Sequence, residues 1–369
     1  MYYQDDYFGN GQDPFDFQDI LINKRITDDF LRNQGLKKIW TTKYLWALGT
    51  GTVLSGFYVH WQVPERIISP WSFLTAYLVA GLVYLVYFSL GVGLIRHFPY
   101  TGGLYAFARR GWGTWGGFMA GMTVVYQFMF GFAAVASLAK NYLHGLWPGY
   151  AGSLIIVITM ILTICYMMET ALAARIQFML VGCGLSGLIL FFIGSADYFG
   201  TTPGFSFDQF PLGTGIVHAF PFVLWCLFGL EGFSLVAEET KNLGRTMSQT
   251  LGAVGGTVFF AFLGLWLFAV RPMPEFFFNS QGHPTWYILQ KIQSQDQVLL
   301  RTFSALILCA YVSGLNGLIH GFSRQVYALA RAGYLPLFLS NLHTTYRTPY
   351  LAVLIPVTVS LSGAFLLPL

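Results

Sequence analysis

From Tyr44 to the last residue the sequence is a succession of apolar runs of about 20 residues, each long enough to cross a bilayer core about 30 Å thick as a helix. Nine such runs stand at 44–62, 72–95, 114–143, 150–168, 173–198, 213–236, 248–270, 302–330 and 349–369. Composition agrees, with 55% of residues hydrophobic and 10% charged, against about 25% charged in an ordinary soluble domain. Helix is the expected state, because hydrocarbon offers backbone groups no water to bond. The runs are also unbroken, unlike the alternating segments of about ten residues in a membrane barrel. An all-α polytopic membrane protein follows.

Residues 1–43 form a polar tail rich in aspartate, expected to carry no secretory signal, to be largely disordered and to stay in the cytoplasm. Basic residues set the orientation. Fifteen of the 20 Lys and Arg fall on the side of the N-terminus and five opposite, which the positive-inside rule reads as a cytoplasmic N-terminus. The net charge of +4 is then a matter of topology. A nucleic-acid partner would need a basic face in a soluble domain, and none is visible. Cys165, Cys183, Cys226 and Cys309 lie inside the runs as packing residues, and the seven histidines show no metal-ligand spacing.

Two runs are interrupted by glycine. In "LGTGTVLSGFYVHW" the residues Gly49, Gly51 and Gly56 sit with Thr50, Thr52 and Ser55 at mid-membrane depth, and each glycine lowers helix propensity by about 1 kcal/mol relative to alanine. Close packing of small residues is one explanation. The sixth run, where a repeat of five helices places the partner of the first, also carries Gly229 and Gly232 around Glu231. Interrupted helices at matching positions point to a transporter of two inverted repeats, here 44–198 and 199–369. At such breaks freed N–H groups suit an anion, and freed carbonyls a cation or ammonium.

Glu231 is a site candidate because a carboxylate at mid-membrane depth costs a few kcal/mol unless it meets a cavity or a partner. It reads as a proton carrier or ammonium counter-ion, or as a hydrogen-bond post for backbone freed by the break. Glu238 and Glu239 are expected to reach the cytoplasmic surface as a solvated cap, with a gate as the alternative. Asn316 and His320, four apart, share a helix face; that stripe lines the substrate path or bonds a neighbouring helix. Tyr126 and Gln127 are further candidates to line the cavity. Arg109, Arg110, Arg324 and Arg331 read as topology and headgroup residues at helix ends. Catalysis finds little support: Ser55, His320 and Glu231 form a triad only on paper, without a nucleophile elbow.

Three segments in order, "FPYTGGLYAFARRGWGTWGGFMAG" (98–121), "LWCLFGLEGFSLVAEETKNLGR" (224–245) and "FSRQVYALARAGYLP" (322–336) followed by "YRTPY" (346–350), resemble the amino acid/polyamine/organocation permeases, nearest to the ethanolamine permease-like branch. The resemblance runs from about Trp46 to the end of the chain. It implies a LeuT-like fold of five plus five helices, of which this sequence stops inside span 9. It places the substrate between unwound parts of spans 1 and 6, here Leu54, Ser55, Gly56 and Phe57 and then Leu227, Phe228, Gly229, Leu230 and Glu231, with Trp225 and Phe228 at gate positions. Ser313 resembles a hydroxyl facing an ion or proton site, with Glu231 as a second coupling candidate. Phe57 stands where ethanolamine-permease relatives tend to have an acid. Span 5 lacks a proton-coupling lysine and has Gly184 near that place. The implied activity is secondary active transport of an amino acid or a small amine such as ethanolamine. No cofactor is called for, the coupling ion, proton or sodium, is open, and the partners are the solute and the bilayer of the plasma membrane. The alternative is a non-transporting sensor or assembly protein on a permease scaffold.

Overall fold

The computed structural model describes residues 36–58, 69–97, 102–147, 149–199, 214–270, 285, 288–290 and 296–366. The tail 1–35, the close of the first run and residues 367–369 lie outside them. Nine helices occur among the described residues: α1 Thr42–Leu54, α2 Pro70–His97, α3 Leu104–Leu146, α4 Ala151–Met168, α5 Thr170–Phe199, α6 Thr214–Leu227, α7 Leu243–Leu265, α8 Gln297–Arg331 and α9 Tyr350–Leu366. Six of them, α2 to α5, α7 and α8, are long and apolar enough to cross a membrane; α6 with its continuation makes a seventh, bent by 41°. α9 is apolar but shorter, and α1 has 13 residues before it changes form.

Each helix takes its place from its apolar faces. On α2, Leu78, Leu82, Val83, Val86 and Leu90 are exposed while Phe73, Ala76, Tyr77 and Ala80 are buried; at membrane depth the first set meets lipid and the second the protein. α8 is the axis of the molecule, buried without interruption from Ser313 to Ala330. Its ends are well defined. The Asp296 carboxylate accepts from the Leu299 N–H at 2.9 Å at its start, as an N-cap does. At its end Gly333 turns with φ 80°, and the Tyr334 N–H returns to the Leu329 carbonyl at 2.9 Å. In α3 Gly113, with φ 70° and ψ −165°, separates a first stretch from the spanning part, which is where the third apolar run begins.

Contacts between helices follow a swapped pattern. α1 packs on α7 while α6 packs on α2, and α8 packs on α3 and α5. Leu36–Trp40, just before α1, is not free: Trp40 forms an isolated parallel bridge to Thr240, beyond the end of the sixth span.

Candidate functional site

The sharpest irregularity is in the sixth span. α6 ends at Leu227, Phe228 and Gly229 form a joint, and the chain continues as a 3-10 helix over Leu230–Val236. Gly229 holds φ 94° and ψ −9°, the left-handed region that favours glycine. A side chain there would also crowd α1, since its Cβ would lie 3.1 Å from that of Thr52.

Glu231 ties this joint down. Its Oε2 accepts from the Gly229 N–H at 2.9 Å and its Oε1 accepts from the Tyr84 hydroxyl on α2 at 3.1 Å, with the Gln127 side chain of α3 beside it. With 9% of its surface exposed, the carboxylate ties the joint of the sixth span to α2. Tyr126, one residue before Gln127 and turned from it by about 100° around the helix, is 51% exposed.

The first span behaves differently from the expectation of an unwound stretch. Leu54 closes the α-helix and Ser55–Tyr58 continue as a 3-10 helix, with Leu54, Ser55, Gly56 and Phe57 all buried. The break is a tightening, which keeps i to i+3 hydrogen bonds. Two features favour it. Thr52 returns its hydroxyl to the carbonyls of Leu48 and Gly49 at 3.2 and 2.9 Å, a bond that bends helices. The glycines of α8 also let α1 approach closely: a Cβ on Gly317 would overlap Thr52, and one on Gly314 would come within 2.6 Å of the Ser55 Oγ.

The two interrupted spans meet here. A Cβ on Gly56 would lie 3.3 Å from the Cys226 Cα and 3.4 Å from the Trp225 carbonyl oxygen. Trp225 and Phe228 stack with ring centroids 5.3 Å apart and planes 9° from parallel. Leu54, Ser55, Gly56, Phe57, Trp225, Phe228, Gly229 and Glu231 therefore belong to one region where α1 and α6 change form.

Asn316 and Ser313 lie on α8 facing other helices. The Asn316 amide donates to Gln177 Oε1 at 2.7 Å and to the Ala173 carbonyl at 3.3 Å, both on α5, while Gln177 donates to the Ala47 carbonyl of α1 at 3.2 Å. The interhelical alternative is the one seen for Asn316. Ser313 is buried against Gly51 of α1, and its Oγ has no hydrogen-bond partner among the described residues. His320 packs on Trp40 and Tyr166, with centroids 4.8 and 5.7 Å away. It touches neither Ser55 nor Glu231 through any hydrogen bond, so the paper triad does not assemble.

The solvated cap is overturned. Glu239 and Glu238 are 1% and 4% exposed. Arg324 Nε donates to Glu239 Oε1 at 2.6 Å and its Nη2 to Oε2 at 3.0 Å, with a further bond from Nη2 to Thr170 at 3.0 Å. Arg331 pairs with both oxygens of Glu238. The Ile39 and Trp40 N–H groups donate to the Glu239 carbonyl at 2.9 and 3.0 Å, and Lys241 N–H returns to the Trp40 carbonyl at 3.0 Å. Neither Arg324 nor Arg331 serves as a free headgroup residue. Together these pairs tie the segment after the sixth span to α8 at the end of the bundle where the N-terminal segment lies, and neither glutamate is a solvated cap. Sequence reading missed Trp40, Tyr84 and Gln177, since an aromatic or an amide among apolar residues is no anomaly in itself.

Comparison with known proteins agrees with this geometry. A match to the family described as "Amino acid permease" spans residues 41–369. An uncharacterized transporter of Rhizobium meliloti is 26% identical over 346 residues, covering 90% of this chain and 74% of that protein. A branched-chain amino acid permease of Lactococcus lactis subsp. cremoris is 26% identical over 336 residues, covering 81% and 70%. A solved structure, the substrate-bound outward-open state of a Na+-coupled sialic acid symporter, superposes with a TM-score of 0.66 at 14% identity over 92% of this chain and 76% of that one. The fold is thus that of LeuT-like transporters, and the relatives are transporters rather than enzymes. A multi-pass membrane protein built around two altered helices, the chain belongs to the amino acid permease family.

Proposed function

We propose that the chain is a secondary active transporter of neutral amino acids, working by alternating access about α1 and α6. The observation that supports it most is the meeting of two altered helices at Gly56 and Trp225–Cys226, with the α6 joint tied by Glu231. In this reading the two halves, 44–198 and 199–369, rock against each other. The substrate carboxylate lies on N–H groups near Ser55 and Gly56, and its ammonium on carbonyls near Phe228, each at the helix end whose partial charge suits it. Each oxygen of Glu231 already accepts one bond, from Gly229 and from Tyr84, which holds the carboxylate to the joint. That weighs toward an amino acid over ethanolamine, a molecule with no carboxylate to use the N–H groups. The likeness to a branched-chain amino acid permease points the same way. Ser313 Oγ is the coupling candidate on α8. The N-terminus is cytoplasmic and the membrane is the plasma membrane.

A radiolabelled uptake panel in proteoliposomes tests this reading. Saturable leucine uptake that other neutral amino acids compete and ethanolamine does not is the expected result. Competition by alkanolamines alone, or no saturable uptake, overturns it. Imposing a sodium gradient or a proton gradient in turn identifies the coupling ion.

A further inference from the structure

Resting on the transport reading above, we propose that Gly131 of α3 sets how far the Phe228 ring withdraws from the joint, and so the largest side chain the carrier accepts. Gly131 is buried, and a Cβ there would overlap the tip of the Phe228 ring at Cζ and Cε1, with Cε2 at 3.1 Å. The ring therefore rests in a notch that only glycine leaves open.

Its other degrees of freedom are taken. The backbone at 228 is fixed by Gly229 at φ 94° and by the Glu231 tether. The far face of the ring is stacked on Trp225 at 5.3 Å. A methyl group at 131 leaves the ring one cheap response, rotation out of the notch toward the side on which it is partly exposed.

A second aromatic on a glycine shows why this notch is distinctive. Phe128, also on α3, sits where a Cβ on Gly321 of α8 would come within 2.6 Å of its Cζ. That ring is wholly buried, so its notch belongs to helix packing. Phe228 is only partly buried. Displacing Phe128 disturbs the interior, whereas displacing Phe228 changes the room next to the substrate.

Apolar pockets discriminate by about 10- to 200-fold per methylene. Gly131→Ala is therefore expected to weaken competition by leucine and phenylalanine at least about tenfold relative to alanine and glycine. Phe228→Leu in the same protein should restore the larger amino acids, and Phe228→Leu alone should extend acceptance to larger ones. The full-length protein is tested in proteoliposomes by the same uptake panel. Thermal unfolding of the two single variants and the double variant in detergent serves as a second readout: shortening residue 228 should recover the midpoint lost by Gly131→Ala. An unchanged ranking of substrate sizes in Gly131→Ala, or an altered ranking that Phe228→Leu fails to reverse, overturns the inference while leaving the transport reading intact. If Gly131→Ala does not fold, an unchanged ranking in Phe228→Leu alone overturns it as well. Absence of amino acid uptake by the unaltered protein would instead defeat the transport reading, and the size inference with it.

Discussion

A charged side chain among apolar ones announces itself, and Glu231 did so. What the sequence could not announce is the company it keeps. Tyr84 and Gln127 lie 147 and 104 residues away in the chain, and neither is unusual where it stands. With bonds from Gly229 and Tyr84, the carboxylate is placed to hold the joint whether or not it carries a proton. Gln in its place keeps an acceptor for the Gly229 N–H and can still bond Tyr84. Glu231→Gln is therefore expected to unfold within about 1 kcal/mol of the unaltered protein and to leave the pH dependence of uptake unaltered. Glu231→Ala strands buried donors and should cost about 1–3 kcal/mol. Thermal unfolding in detergent with pH-resolved uptake checks both; a flattened pH profile in the Gln variant would show that the group carries a proton.

Whole elements were easier to read than their neighbours, because an apolar run of spanning length states its own fate. Breaks were half legible. Paired glycines marked both altered spans, but Gly229 enters the left-handed region while Gly56 does not. In α1 the Thr52 hydroxyl and the close approach of α8 at Gly314 and Gly317 convert the same glycine-rich sequence into a 3-10 helix. Glycines consequently differ in what they do, and substitution separates them. Gly229→Ala forces a left-handed alanine beside Thr52 and should destabilise by at least about 1–2 kcal/mol. Gly252→Ala, inside α7 with nothing within 4 Å of the new Cβ, should stabilise by up to about 1 kcal/mol. Thermal shift assays on the two variants are expected to move in opposite directions.

At the scale of the molecule, one end of the bundle is locked. Glu239, Glu238 and their arginines lie 85 and 93 residues apart in sequence. Their acidic and basic clusters looked like surface charge, because in the sequence each stands at the polar margin of an apolar run. Folding brings them together under Trp40, whose segment closes over the Glu239 carbonyl. Removing one member of a buried ion pair leaves the other uncompensated, at a cost of about 3–5 kcal/mol. Arg324→Ala should therefore lower stability by that order in denaturant or thermal unfolding, with Glu239→Ala on the Arg324→Ala background recovering part of the loss. Trp40→Ala leaves both ions in place and instead frees the segment that covers them, so it should open this end with little change in helix content.

Alternating access about α1 and α6 is tested most directly by thiol labelling at position 228 in sealed proteoliposomes, with the four native cysteines replaced and Phe228→Cys introduced. A membrane-impermeant reagent should reach the thiol readily from the side opposite the N-terminus and slowly from the N-terminal side. Trp40→Ala should raise labelling from the N-terminal side, and the amino acid with the strongest uptake should slow labelling from both. Equal labelling from the two sides regardless of Trp40, with no protection by any amino acid, would contradict a carrier whose path runs between these two helices.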